Sequence, residues 1–214
     1  MNRKYAFVVA ICVMLSTPTR SIPNTALADD AVATSLTVSS VGDMTEFVSR
    51  AKQAEARHDF NEAITWYQKA ANLDDARSMY ELGCIYFGFH DIPGRQLKDY
   101  TKATAWFQKA ANLNYSAAMT QLGVMYNSDG SLGVPEDHVK AAQYFLKAAQ
   151  AGDAQAMDNL GVMYSQGKGV PRNVDEAVRW WKKAVEIDGN GPSGRAAQSW
   201  LDVHNGRPLF GSHP

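Results

Sequence analysis

Four segments of the chain carry the same residue types at the same spacing, with Ala63, Ala103, Ala141 and Ala177 in register. Seven residues after each stands another alanine: Ala70, Ala110, Ala148 and Ala184. Paired aromatics follow three and four residues after the first alanine: Trp66-Tyr67, Trp106-Phe107, Tyr144-Phe145 and Trp180-Trp181. A lysine comes at the sixth position (Lys69, Lys109, Lys147, Lys183), and an Asx residue stands four before (Asp59, Asp99, Asp137, Asn173). A period of this length builds a stack of similar units, each burying its apolar face on the next.

Positions i, i+3, i+4 and i+7 share one face of a helix, so each segment is an amphipathic helix whose alanines admit a neighbour and whose rings fill the space beside them. The Asx column is read as the N-cap, with Glu62 and Glu176 placed to close a capping box. Asp74, Asn114, Gly152 and Asp188, eleven residues after the first alanines, are types that tolerate the left-handed conformation ending a helix.

A second helix alternates with the first. Leu82-Gly83, Leu122-Gly123 and Leu160-Gly161 each have a methionine three residues before the leucine (Met79, Met119, Met157) and a tyrosine four after it (Tyr86, Tyr126, Tyr164). Glycine inside a helix costs about 1 kcal/mol against alanine, so its recurrence implies two helix backbones approaching too closely for a side chain. The spacing from Ala70, Ala110 and Ala148 to the next Leu-Gly pair is constant at 12 residues. From each leucine forward to the second alanine of the following helix it shrinks from 28 to 26 to 24, which confines length variation to one loop per unit.

The first 28 residues follow other rules. Arg3 and Lys4 precede an apolar run from Tyr5 to Leu15, no acidic residue occurs before Asp29, and Ala26-Leu27-Ala28 offers a small-x-small cleavage site. That is the layout of a secretory signal, with an apolar run shorter than the roughly 20 residues that span a bilayer. The mature chain is expected to begin near Asp29, in the periplasm or outside the cell, with retention as an uncleaved anchor the lesser alternative. Cys12 follows Ile11 rather than a small residue, which argues against lipidation. Removing residues 1 to 28 takes three basic residues and no acidic one, leaving 18 basic against 22 acidic. This balance excludes a counterion-collecting nucleic-acid binder. Only Cys84 remains, so no intrachain disulfide can form.

The third unit, with Leu160-Gly161-Val162-Met163-Tyr164, Gly167-Lys168-Gly169-Val170, Asp175, Ala177, Trp180 and Lys183-Ala184, resembles the Sel1-like repeats, relatives of the tetratricopeptide repeat. The second unit keeps Gly133-Val134 with two extra loop residues, and the first departs most, with Phe89-His90-Asp91-Ile92-Pro93-Gly94 in the loop. Phe47 to Asn72 looks more like a tetratricopeptide unit, turning at His58-Asp59-Phe60, and Ala196 to His204 reads as a lone last helix. The resemblance implies an all-α fold, a right-handed α-solenoid of antiparallel helix pairs. The expected layout is a signal peptide at 1–28, a flexible lead-in at 29–43, and a solenoid over 44–204. Its units span about 44–74, 75–114, 115–152 and 153–190, with a last helix at 193–204 and a tail at 205–214.

Candidates for chemistry are few. His58, His90, His138, His204 and His213 show no metal-ligand spacing with each other or with cysteine, so no metal and no cofactor is expected. His90-Asp91 lacks a nucleophile beside it. Gly161 to Gly169 resembles a phosphate-binding loop but is one residue too long, has no Ser or Thr after Lys168, and follows a helix instead of a strand. The aromatic columns recur at core positions and are read as packing.

A surface remains. Positions two before, two after and five after each Leu-Gly leucine lie roughly 110° round from the packing stripe. They are Tyr80, Cys84 and Phe87, then Thr120, Val124 and Asn127, then Asp158, Val162 and Ser165, with Ser199 and Val203 on the last helix. This face is the candidate protein-binding groove, with Tyr80 and Phe87 as aromatic anchors or, on the competing view, as packing against the adjacent unit. The expected function is an exported, non-enzymatic adaptor that binds a peptide or protein partner, without nucleic acid and without a membrane span after signal cleavage. The resemblance also admits an immunity protein that neutralises a delivered periplasmic toxin. A further alternative is an envelope enzyme acting on peptidoglycan or β-lactams, although paired cysteines and Ser-x-x-Lys are missing.

Overall fold

A computed structural model of the chain describes residues 42–88 and 98–205. Every regular element among them is a helix: α1 (42–56), α2 (Phe60–Ala71), α3 (Ala76–Phe87), α4 (Tyr100–Asn112), α5 (Ser116–Asn127), α6 (His138–Gln150), α7 (Ala154–Gln166), α8 (Val174–Asp188) and α9 (Pro192–His204). From α2 onward each helix packs against the next in sequence, and the all-helical solenoid expected from the repeat is what forms. Helix α1 starts at Gly42, inside the stretch assigned to the lead-in. Helix α9 starts at Pro192, four residues before Ala196, because proline is well suited to the first helical position. The proposed signal segment, the His90-Asp91 loop and the tail after Asn205 lie outside the described residues.

The Asx column caps as expected: Asp59, Asp99, Asp137 and Asn173 each accept a hydrogen bond from the backbone amide three residues on. The capping boxes do not close. Glu62 instead accepts from Arg57 and the Trp66 indole, and Glu176 pairs with Arg179. The cap amide is already taken by a backbone carbonyl of the preceding helix, Ala54 for Asp59, then Tyr86, Tyr126 and Tyr164 for the other three, at 2.8–2.9 Å. This bond recurs across loops of different length, so each second helix starts at a fixed point against the end of the first. Asp74, Asn114 and Gly152 adopt the left-handed conformation that ends a helix. Asp188 does not. Helix α8 runs on through Asp188, Gly189 takes the positive φ, and the Asp188 carboxylate accepts from Ser193 and Gly194 at the start of α9.

The core is a row of rings and small residues. Tyr67, Phe107, Phe145 and Trp181, the second aromatic of each pair, are buried between alanine-rich faces. The Leu-Gly glycines admit these rings, not a helix backbone. A Cβ on Gly83 would meet the Phe107 ring at 2.5 Å, one on Gly123 the Phe145 ring at 2.6 Å, and one on Gly161 the Trp181 indole. The first aromatic of each pair sits half-buried on the outer side. In three units the column lysine lies over it, Lys69 on Trp66 at 3.9 Å, Lys109 on Trp106 at 4.0 Å and Lys183 on Trp180 at 4.3 Å. A cation over an indole contributes about 0.5–1 kcal/mol at such sites, which gives the lysine column its physical reason.

Candidate functional site

The predicted face divides into a filled end and an open end. Tyr80 is half-buried, its ring 5.7 Å from Phe107 and 5.3 Å from Tyr115, both outside its own helix. Phe87 meets Tyr100 edge-on at 5.3 Å and Phe107 at 6.3 Å. The two expected anchors are thus committed to packing against α4 and the start of α5. Cys84 and Thr120 are buried and cannot present themselves to a partner. Burial pushes the Cys84 thiol up to about 12, against the opposing effect of its hydrogen bond with Tyr80. The Thr120 hydroxyl donates to the Ser116 carbonyl. These positions were assigned to the groove by angle alone, and the neighbouring unit covers that angle in α3 and at the start of α5.

The open end lies on α5, α7 and α9, where α7 touches both of the others. Val124 and Val162 are half-buried against the core, Asn127 and Ser199 are exposed, and Val203 is 43% exposed. Ser165 is half-buried; its hydroxyl donates to the Val162 carbonyl, and its own carbonyl accepts from Arg172. Asp158 differs from all of these. Its Oδ1 is out of contact with solvent and receives no hydrogen bond, and burial pushes its carboxyl up to about 6. Among the described residues no three His, Cys, Asp or Glu side chains converge as metal ligands, and no helix is long and apolar enough to cross a membrane. Gly169 of the glycine loop lies against the first turn of α6, where an added Cβ would overlap the His138 carbonyl. That loop is a packing element of the unit junction.

Sequence reasoning missed a cleft of about 470 Å³ between the last turns of α4 and α6. Gln108, Asn112, Tyr144, Lys147 and Gln150 line it above a floor of Met119. The available signal was the one row of the repeat in which tyrosine replaces tryptophan under the column lysine.

The model of the Sel1 repeat matches four consecutive stretches, residues 54–75, 76–115, 116–153 and 154–187. The chain belongs to the Sel1 repeat family. Sel1 repeats are protein-interaction scaffolds and are generally non-catalytic. Among solved structures, the chain is 34% identical to c5321, a protective antigen of uropathogenic Escherichia coli strains displaying an SLR fold, with a TM-score of 0.57 over 66% of this chain and 29% of that one. It is 29% identical to a Sel1 repeat protein from Oxalobacter formigenes, with a TM-score of 0.55 over 67% of this chain and 38% of that one. The chain therefore spans well under half the length of either relative. No curated protein matches it.

Proposed function

We propose that this Sel1 repeat protein is an exported, non-enzymatic interaction module that holds a peptide or helix of a partner protein against its Leu-Gly helices. The Asp158 carboxylate carries the reading. A buried acceptor left without a donor costs about 1–3 kcal/mol, a cost that a donor from outside the chain removes. Asp158 is half-buried on α7, and a partner's N–H or guanidinium meets its carboxylate when the side chain turns outward from the position in which solvent does not touch Oδ1. Apolar surface beside one convergent polar group is how a scaffold fixes both affinity and register. Export is supported by the layout of the first 28 residues, with Ala28 as the last residue removed.

The test is a crosslinking pull-down from native envelope extract, comparing the wild type with a variant carrying Asn127→Ala, Asp158→Ala and Val162→Asp whose circular dichroism is unchanged. The expected result is one dominant partner held by the wild type and lost by the variant. Equal capture by both removes the Leu-Gly face from the proposal. The export half is read separately from the mature N-terminus and the cell fraction by mass spectrometry, with Asp29 in the envelope or medium expected, Met1 there refuting cleavage, and the protein found only in the cytoplasm refuting export.

A further inference from the structure

The column lysine does one thing in three of the four rows and another in the row of Ala141. Lys69, Lys109 and Lys183 lie over tryptophan rings. On α6 the ring is Tyr144, which stacks on Tyr126 at 5.8 Å and turns its hydroxyl to α4, donating to Gln108 Oε1 at 2.6 Å. Among the described residues Lys147 has neither a ring beneath it nor a carboxylate in ion-pair reach, and it lines the cleft between α4 and α6.

The bond from Tyr144 orients the rest of the lining. With its Oε1 accepting, Gln108 donates from Nε2 to Asn112 Oδ1 at 2.9 Å, which leaves both Asn112 amide hydrogens unspent. Gln150 has no side-chain hydrogen bond to the described residues. No Asp or Glu lines the cleft. Where α3 and α7 begin on Asp75 and Asp153, α5 begins on Tyr115, whose ring is packed on Tyr80, so no capping carboxylate stands at that position either. The unspent groups are an ammonium and amide N–H donors. At the ends of α4 and α6 the carbonyls of Ala110, Ala111, Lys147, Ala148 and Ala149 already accept from the following turn, which leaves those of Asn112 and Gln150 as acceptors.

The geometry points to this cleft as a binding site for an extended peptide segment of a partner protein, with a carboxylate of that segment at Lys147. An extended main chain brings carbonyls for the amide N–H groups, N–H groups for the helix-end carbonyls, and one negative charge for the unpaired ammonium. A volume of about 470 Å³ suits a few residues of extended chain. The inference rests on the reading of the chain as a protein-interaction module, but not on the Leu-Gly face.

The carboxylate can come from a chain end or from an acidic side chain, and three probes separate the sources. Main chain and carboxylate carry the recognition, so simple N-acetylated pentapeptides of serine, alanine and glycine suffice. One has a free C-terminus, one is amidated, and one is amidated with a central glutamate. Protein produced from the full sequence is titrated with each, to millimolar peptide, while the side-chain amide resonances of Gln108, Asn112 and Gln150 are followed by NMR. At least one carboxylate-bearing peptide is expected to move them, with affinity falling tenfold or more for the neutral amide and for Lys147→Met. Whichever acid binds identifies the source. No movement with any peptide, or equal binding by the neutral amide or by Lys147→Met, overturns the site. Movement confined to Val124, Asn127 and Val162 overturns it too, while leaving the interaction-module reading intact.

Discussion

Alanine at Gly123 puts a methyl group where the structure has a ring. Its Cβ falls 2.6, 2.7 and 2.9 Å from three atoms of Phe145, against the roughly 3.5–4.0 Å of an ordinary carbon contact. Phe145 is 1% exposed and cannot swing out. Overpacking of this kind costs about 1–3 kcal/mol, and the better helix propensity of alanine offsets about 1 of it, for a net loss of about 1–2 kcal/mol. Beside Phe145→Ala, which alone costs about 3–5 kcal/mol, the same change has the opposite sign and stabilises by up to about 1 kcal/mol, because the obstruction is gone. Urea unfolding of the four proteins forms a double-mutant cycle with an expected coupling of about 1–3 kcal/mol and an unchanged m-value. A Gly123→Ala protein more stable than the wild type, or a cycle additive within about 0.5 kcal/mol, refutes the account of the Leu-Gly glycines.

Three other outcomes follow from named groups. Burial raises the Asp158 carboxyl from 3.8 to about 6, so the folded state holds the proton more tightly than the unfolded one, and this group makes the protein more stable as pH falls from 7 towards 4. Discounted for a half-exposed side chain, the effect is on the order of 1 kcal/mol, and Asp158→Asn is expected to raise the urea midpoint at pH 7 and flatten its change between pH 7 and 4; a lowered midpoint at pH 7 would mean that the carboxylate already has a partner. With its thiol pushed up to about 12, Cys84 should not react with a disulfide reagent at pH 8 until the chain unfolds, so labelling in the absence of denaturant contradicts the packing around Tyr80. Arg50 and Lys69 both approach the Trp66 ring, at 4.6 and 3.9 Å, and Lys69→Met is expected to cost about 0.5–1 kcal/mol in thermal unfolding at low salt, whereas no change would leave the lysine column without its role.

Local features were legible without tertiary information. The alternation of two helix types, the caps at Asp59, Asp99, Asp137 and Asn173, and the left-handed ends at Asp74, Asn114 and Gly152 all depend on bonds within a few residues. The errors were of another kind. Glu62 and Glu176 sit in the correct position for a capping box, but a carbonyl from the previous helix reaches the cap amide first. Tyr80, Cys84, Phe87 and Thr120 share a helix angle with Asp158 and Val162, yet only the last two border the open face. Whether a given angle faces solvent or the next unit depends on how successive helix pairs are rotated, and that rotation is set by the bulk of the rings between them.

The sequence by itself therefore determined the repeat, its two helices and their ends, because helical period and capping act over three to seven residues. The tertiary structure alone decided what those helices present. The ring over each Leu-Gly glycine comes from the next helix, and the bond that turns Tyr144 away from Lys147 spans 36 residues to Gln108. Contacts at that separation are made only once whole units have stacked, so Tyr144 in the tryptophan column marks the exceptional row, but the cleft beside Lys147 exists only in the stacked structure.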